Sequence, residues 1–202
     1  MDQVLENRRQ NPLTYENEID NYKQDHFQLH WNEKINNYWS FNLGLNYTDG
    51  RGYFEQYKED DDINTYGGIV KSDIDSNGNE TGTTDLIRRR WLDNDFYVLN
   101  SSINYIKDKI DLTLSSSYSS YVGDHYGEVI WARSLSNTGE IRDRYYEGLG
   151  EKKDLSFFAK LLYSINKKTE LYTDIQLRGV KYNTSGITSD LINMVLDKSY
   201  NF

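Results

Sequence analysis

The chain has 202 residues, enough for one domain of ordinary size. Only 37% are hydrophobic and the mean hydropathy is -0.83, poor material for a large apolar core, yet 18 Tyr, 7 Phe and 4 Trp argue against disorder. A net charge of -9 speaks against a nucleic-acid partner, and the lack of cysteine removes disulfides, thiol catalysis and Cys-based zinc sites.

Residues Met1 to about Asn21 are polar and without periodicity, and read as a loop containing the single proline, Pro12. A first strand is predicted from about Tyr22 to Trp31. It places Phe27, Leu29 and Trp31 on one face and Gln24, His26, Gln28 and His30 on the other. The turn Asn32–Asn37 leads into the clearest strand, where Trp39, Phe41, Leu43, Leu45 and Tyr47 alternate with Ser40, Asn42, Gly44 and Asn46. From Thr48 to about Trp91 the reading is a long connection with the acidic run Glu59–Asp62 and a hairpin tip at Ser76-Asn77-Gly78.

A third strand is expected from about Phe96 to Ile106, the tight turn Lys107-Asp108-Lys109, and a fourth strand from Ile110 to about Tyr121. A second long loop, about Val122 to Lys153, precedes a fifth strand over Leu155–Ile165. The turn Asn166–Thr169 returns into a sixth strand around Leu171–Arg178. Phe158 and Leu162 blur the alternation of the fifth strand. From Asn183 the chain reads as a loop with a short helix around Ser189–Leu196.

The sum is an all-β, antiparallel, up-and-down transmembrane β-barrel fragment: about six strands in three hairpins forming an open curved sheet. Short turns would lie at one end and long loops at the other. No run approaches the roughly 18 consecutive apolar residues of a transmembrane helix, as expected when each strand turns only half its residues to lipid. Met1–Gln10 lacks the apolar stretch of a secretory signal, so on a barrel reading the chain is an internal or truncated piece of a longer protein.

Three stretches carry a family resemblance: Asn17–Leu29, Leu43–Glu55 and Arg90–Tyr97. Together with Tyr182–Ile187 and Tyr200-Asn201-Phe202 they resemble the barrel of TonB-dependent outer-membrane receptors of Gram-negative bacteria. The resemblance spans nearly the whole chain, through strands and turns rather than a catalytic signature. It implies one part of a barrel of about 22 strands whose lumen is closed by a plug. It further implies an outer-membrane location, lipid and, through the full-length parent, TonB and the plug as partners, and uptake of a scarce small molecule or metal chelate such as an iron chelate or cobalamin. No resident cofactor is implied. A passive porin-like channel or other outer-membrane barrel is the first alternative, and a soluble all-β ligand-binding module the second.

Candidate ligand contacts are taken from the long loops: Tyr53, Tyr57, Asp60, Asp61, Asp62, Arg88, Trp131, Arg133, Arg144, Tyr145 and Tyr146. Tyr and Trp bring contact area and Arg recognises carboxylate or phosphate, although a charge run is more often merely solvated. Asp73, Asp75, Asn77 and Gly78 match the first ligand positions of a calcium loop. Its closing Glu is here Thr84 and no flanking helices appear, so a turn-rich hairpin tip is preferred over a weak calcium site. His26 and His30 share a face but lie roughly 13 Å apart along an extended strand, too far for one metal ion. Trp31, Trp39, Tyr47, Tyr97, Tyr105 and Tyr163 are assigned to interfacial aromatic girdles. No acid/base pair, nucleophile triad or phosphate loop stands out, and enzyme activity is not expected.

Overall fold

A computed structural model describes residues 15–202; the reading of the first segment, Pro12 included, falls mostly outside them. The seven strands are β1 (Asp20–Lys34), β2 (Trp39–Asp62), β3 (Thr83–Lys107), β4 (Ile110–Ala132), β5 (Arg144–Asn166), β6 (Thr169–Ile187) and β7 (Asn193–Asn201). They form one antiparallel sheet in sequence order, with β1 and β7 as its two open edges. No described helix is long and apolar enough to cross a membrane.

The predicted strands are all present, but three expectations are corrected. There are seven strands rather than six in three hairpins. The helix expected at Ser189–Leu196 is absent: Asn193–Asn201 pairs with β6 from Asn193 opposite Ile187 to Asn201 opposite Gly179. Both long connections are much shorter than read, because β2 runs on to Asp62, β3 begins at Thr83, β4 reaches Ala132 and β5 begins at Arg144. Beyond the clean alternation both faces carry polar or charged groups, and strand is specified there by cross-strand pairing that no local pattern displays.

Short turns gather at one end and longer connections at the other. Asn36 Oδ1 accepts the amides of Tyr38 (2.9 Å) and Trp39 (3.0 Å), Asn166 Oδ1 accepts that of Lys168 (2.9 Å), and Asp108 takes a positive φ of 50°. At the other end β2 and β3 are joined through a 3-10 turn at Ile63–Tyr66 and the hairpin tip, where Gly78 (φ 85°) donates to the Asp75 carbonyl and Ile74 bridges Glu80. Register shifts at Lys58/Asp61, Ile87/Arg88 and Gly127/Glu128 cluster at this end, where bulges bend strands and re-aim side chains.

The register separates two faces. On one, Phe41, Ile103, Leu114, Ala159 and Ile175 lie in one row, and Leu45, Leu99, Tyr118 and Leu155 in another. This apolar face is open: Phe27 and Ile175 are each 61% exposed. On the opposite face, Asn42, Ser102, Ser115 and Ser117 line a shallow hollow of about 430 Å³. Phe158 does point to that polar face, opposite Ser115 and Gln176.

The packed core lies at the long-loop end, where Tyr66, Ile69 and Val70 from the β2–β3 connection cover Leu86, Val129 and Tyr145. Leu86 and Val129 are fully buried. Leu86→Ala should therefore cost about 3 kcal/mol in a denaturant titration in detergent, by loss of burial plus a residual cavity. Ile175→Ala should change the same titration by less than about 0.5 kcal/mol, because its side chain packs on little protein.

Candidate functional site at the long-loop end

The acidic run is held internally. Asp62 caps the 3-10 turn by accepting the Asn64 amide at 2.9 Å. Asp61 accepts the Tyr66 hydroxyl and lies 3.8 Å from Arg88. Asp60 adopts a positive φ of 47°, and its amide donates to Asp85 Oδ1 at 3.0 Å. Asp85 is buried and also accepts Tyr57 Oη at 2.8 Å and Arg133. Burial alone would raise its carboxyl, but the Asp60 amide, the Tyr57 hydroxyl and the Arg133 charge together hold it below the ordinary carboxylate range.

Asp73 accepts Thr84 Oγ1 (3.0 Å), Ser134 Oγ and Arg133 Nη1 (3.4 Å). Asp75 accepts the amides of Asn77 and Asn79, each at 2.8 Å, and the Asn79 bond foremost holds its carboxyl low. Asp73 thus staples the loop to the ends of β3 and β4, while Asp75 closes the hairpin tip on itself. Among the described residues no group of three or more His, Asp or Glu is arranged to hold a metal ion.

Arg88 and its partners gather on the polar face. Its Nη1 donates to Tyr66 Oη at 3.0 Å and Nη2 to Gln56 Oε1 at 2.9 Å, while its Nε is buried without a partner. The Tyr66 ring lies 4.9 Å from Tyr145, which lies 5.0 Å from Tyr146. Burial first, then the bond to Asp61, pushes the Tyr66 hydroxyl well above its ordinary value. Arg90, opposite Phe54 and Gly127, adds a second guanidinium 5.9 Å from the Phe54 ring centre.

The apolar face carries a separate assembly at similar height. Tyr53, Trp91 and Tyr126 form a row with ring centres 4.6 and 5.8 Å apart. Arg89 stacks 4.1 Å from Tyr53, Arg51 5.2 Å from Trp91 and Arg144 3.7 Å from Tyr126. Trp91 Nε1 donates to Glu128 at 3.1 Å, and Arg89 pairs with buried Glu55 at 2.8 Å. Just nearer the apolar rows, Asp25, Asp49 and Asp95 sit directly opposite one another, continued by Glu151 and Asp197.

The sequence candidates are thus divided rather than collected. Asp61, Arg88, Tyr145 and Tyr146 share the polar-face cluster, Tyr53 and Arg144 belong to the opposite face, and Tyr57, Asp60 and Arg133 to the Asp85 network. Trp131, opposite Ile87, stays exposed. Gln56, Trp91 and Tyr126, brought in by the pairing of β2, β3 and β4, and Tyr66 and Asp85, brought in by hydrogen bonds at the strand ends, are members that loop composition did not single out. Among the girdle residues, Trp39 stacks on Tyr105 (4.7 Å) at the short-turn border, where Tyr163 also lies opposite Ile110 and Leu171. Tyr47 stacks on Tyr97 (4.7 Å) at the far border. Trp31 is the exception, opposite Leu43 inside the apolar rows.

The Asp85 shift gives a pH dependence of definite sign. A carboxyl held below its unfolded value, about 3.9, stabilises the fold above that pH and ceases to as pH falls through its folded value. Melting temperature should accordingly drop on acidification below about pH 4. Asp85→Asn should cost about 1–3 kcal/mol at neutral pH, by weakening the acceptor for Arg133, and should show a shallower acid limb in thermal melts.

No protein-family model matches the chain, and the comparison with curated proteins returns no match.

Proposed function

We propose that this chain is a section of wall from an outer-membrane β-barrel, with the apolar face toward lipid and the polar face toward a water-filled lumen. The observation that carries the reading is the height of the apolar rows. From Trp39 to Tyr47, from Tyr97 to Tyr105 and from Leu155 to Tyr163 they span about nine residues per strand, the length a tilted transmembrane strand needs. Aromatic pairs border the rows at both ends and a line of carboxylates follows on one side. A soluble sheet this broad would be expected to cover that face with a second layer.

The stretches that resemble TonB-dependent receptors support a more specific role, uptake of a scarce nutrient through the parent barrel with TonB supplying energy. A passive channel or another outer-membrane barrel has the same kind of wall. A soluble ligand-binding module is the second reading, favoured by the loop-capped core of Tyr66, Leu86, Val129 and Tyr145.

The readings separate in vesicle flotation. Leu114→Arg, mid-height on the apolar face, should abolish flotation at a cost of about 2–4 kcal/mol, whereas Ser115→Arg on the polar face should leave it intact. Equal flotation of both variants, or a monomer that melts cooperatively without detergent, overturns the membrane reading in favour of the soluble one.

A further inference from the structure

Most glycines at the long-loop end are accounted for by a neighbour or a backbone angle. A Cβ at Gly50 would strike the Tyr22 hydroxyl, one at Gly127 the rings of Tyr145 and Tyr146, and Gly186 has a φ of 118°. Gly148 and Gly150 on β5 are different. Neither has a positive φ, and a Cβ would come no closer than 3.6 Å to Ser185 O at Gly148 and 3.9 Å to Gly123 O at Gly150. Side chains fit there, yet none is present. What their absence leaves is a hollow of about 270 Å³ on the polar face, walled by His125, Tyr146, Tyr182, Thr184 and Met194.

Register places charge beside this hollow. Gly150 lies opposite Thr184, and in the next row of the same face Tyr182 is flanked by Lys152 on β5 and Lys198 on β7. Among the described residues neither lysine has a carboxylate within ion-pair distance. Arg88 and Arg90 stand further along this face, while the acidic row of Asp49, Asp95 and Glu151 points to the other. At the level of that acidic row the polar face therefore carries the two lysines and the Tyr182 ring.

We propose that the hollow over Gly148 and Gly150 binds a small ring-bearing organic anion. The glycine floor lets a planar ring lie against the backbone between Tyr146 and Tyr182, and its acidic group meets Lys152 and Lys198. A hollow just under the roughly 300 Å³ of drug-sized sites suits a single substituted ring. This deepens the barrel-wall reading by naming a ligand class, and it rests on that reading only in taking the polar face as wet.

The test uses the full chain in detergent micelles with benzoate as probe and benzylamine as its cationic counterpart, followed by saturation-transfer NMR. Benzoate should give saturable transfer and benzylamine none. Lys152→Gln with Lys198→Gln should weaken benzoate about tenfold, equivalent to about 1.4 kcal/mol. Gly148→Leu and, independently, Gly150→Leu should abolish transfer with unchanged strand content by circular dichroism. Equal binding of benzylamine, no saturable benzoate signal, or benzoate binding undiminished in a folded glycine variant overturns the proposal. Flotation of Leu114→Arg and Ser115→Arg reads the membrane reading separately, so failure of one is distinguishable from failure of the other.

Discussion

The structure depends on one continuous antiparallel register, that of β2 against β3. From Trp39 opposite Tyr105 to Lys58 opposite Leu86 the two strands pair without a slip. Because side chains alternate with period two, that registration decides for both strands which residue meets which face. It stacks Trp39 on Tyr105 and Tyr47 on Tyr97, sets Asn42 beside Ser102, and brings Arg88 to Gln56 and Arg89 to Glu55. A slip of one residue would turn the apolar rows into the polar face and break every one of these pairs.

Along the same strands the source of stability changes. Over the apolar rows the protein buries little of its own side-chain surface, and the ladder hydrogen bonds hold neighbouring strands together. At the long-loop end, side chains take over: a small apolar core under Ile63–Val70, two carboxylates that gather loop donors, and arginines laid flat on aromatic rings. Bulges at Lys58/Asp61, Ile87/Arg88 and Gly127/Glu128 mark that transition. There Tyr66 and Tyr145 pack with Leu86 of β3 and Val129 of β4.

Much of the fold was legible locally. Alternation in Trp39–Tyr47 and the Asx-type turns at Asn36 and Asn166 are properties of adjacent residues, and they located the strands and the short-turn end. The strand extensions were not legible, because Gly50, Arg51, Gly52 and Tyr53 follow no binary pattern; they are strand because Asn94, Asp93, Leu92 and Trp91 lie opposite. The stretch read as helix at Ser189–Leu196 contributes to β7 for the same reason, since the β6 edge offers it a ladder from Ile187 to Gly179. Loop composition likewise listed together residues that face opposite ways, Tyr53 and Arg88 among them.

By itself, the sequence determined that the chain is antiparallel β, with one face apolar over a limited height and turns of two unlike kinds, because those features follow from period-two alternation and from the local chemistry of Asn, Asp and Gly. Only the tertiary structure decided how far the strands run, that there are seven of them, and how charge divides between the faces. Those properties arise from pairing between residues distant in the chain, such as Arg88 with Gln56 and Asp85 with Arg133, and a ladder between distant segments leaves no mark on either segment alone.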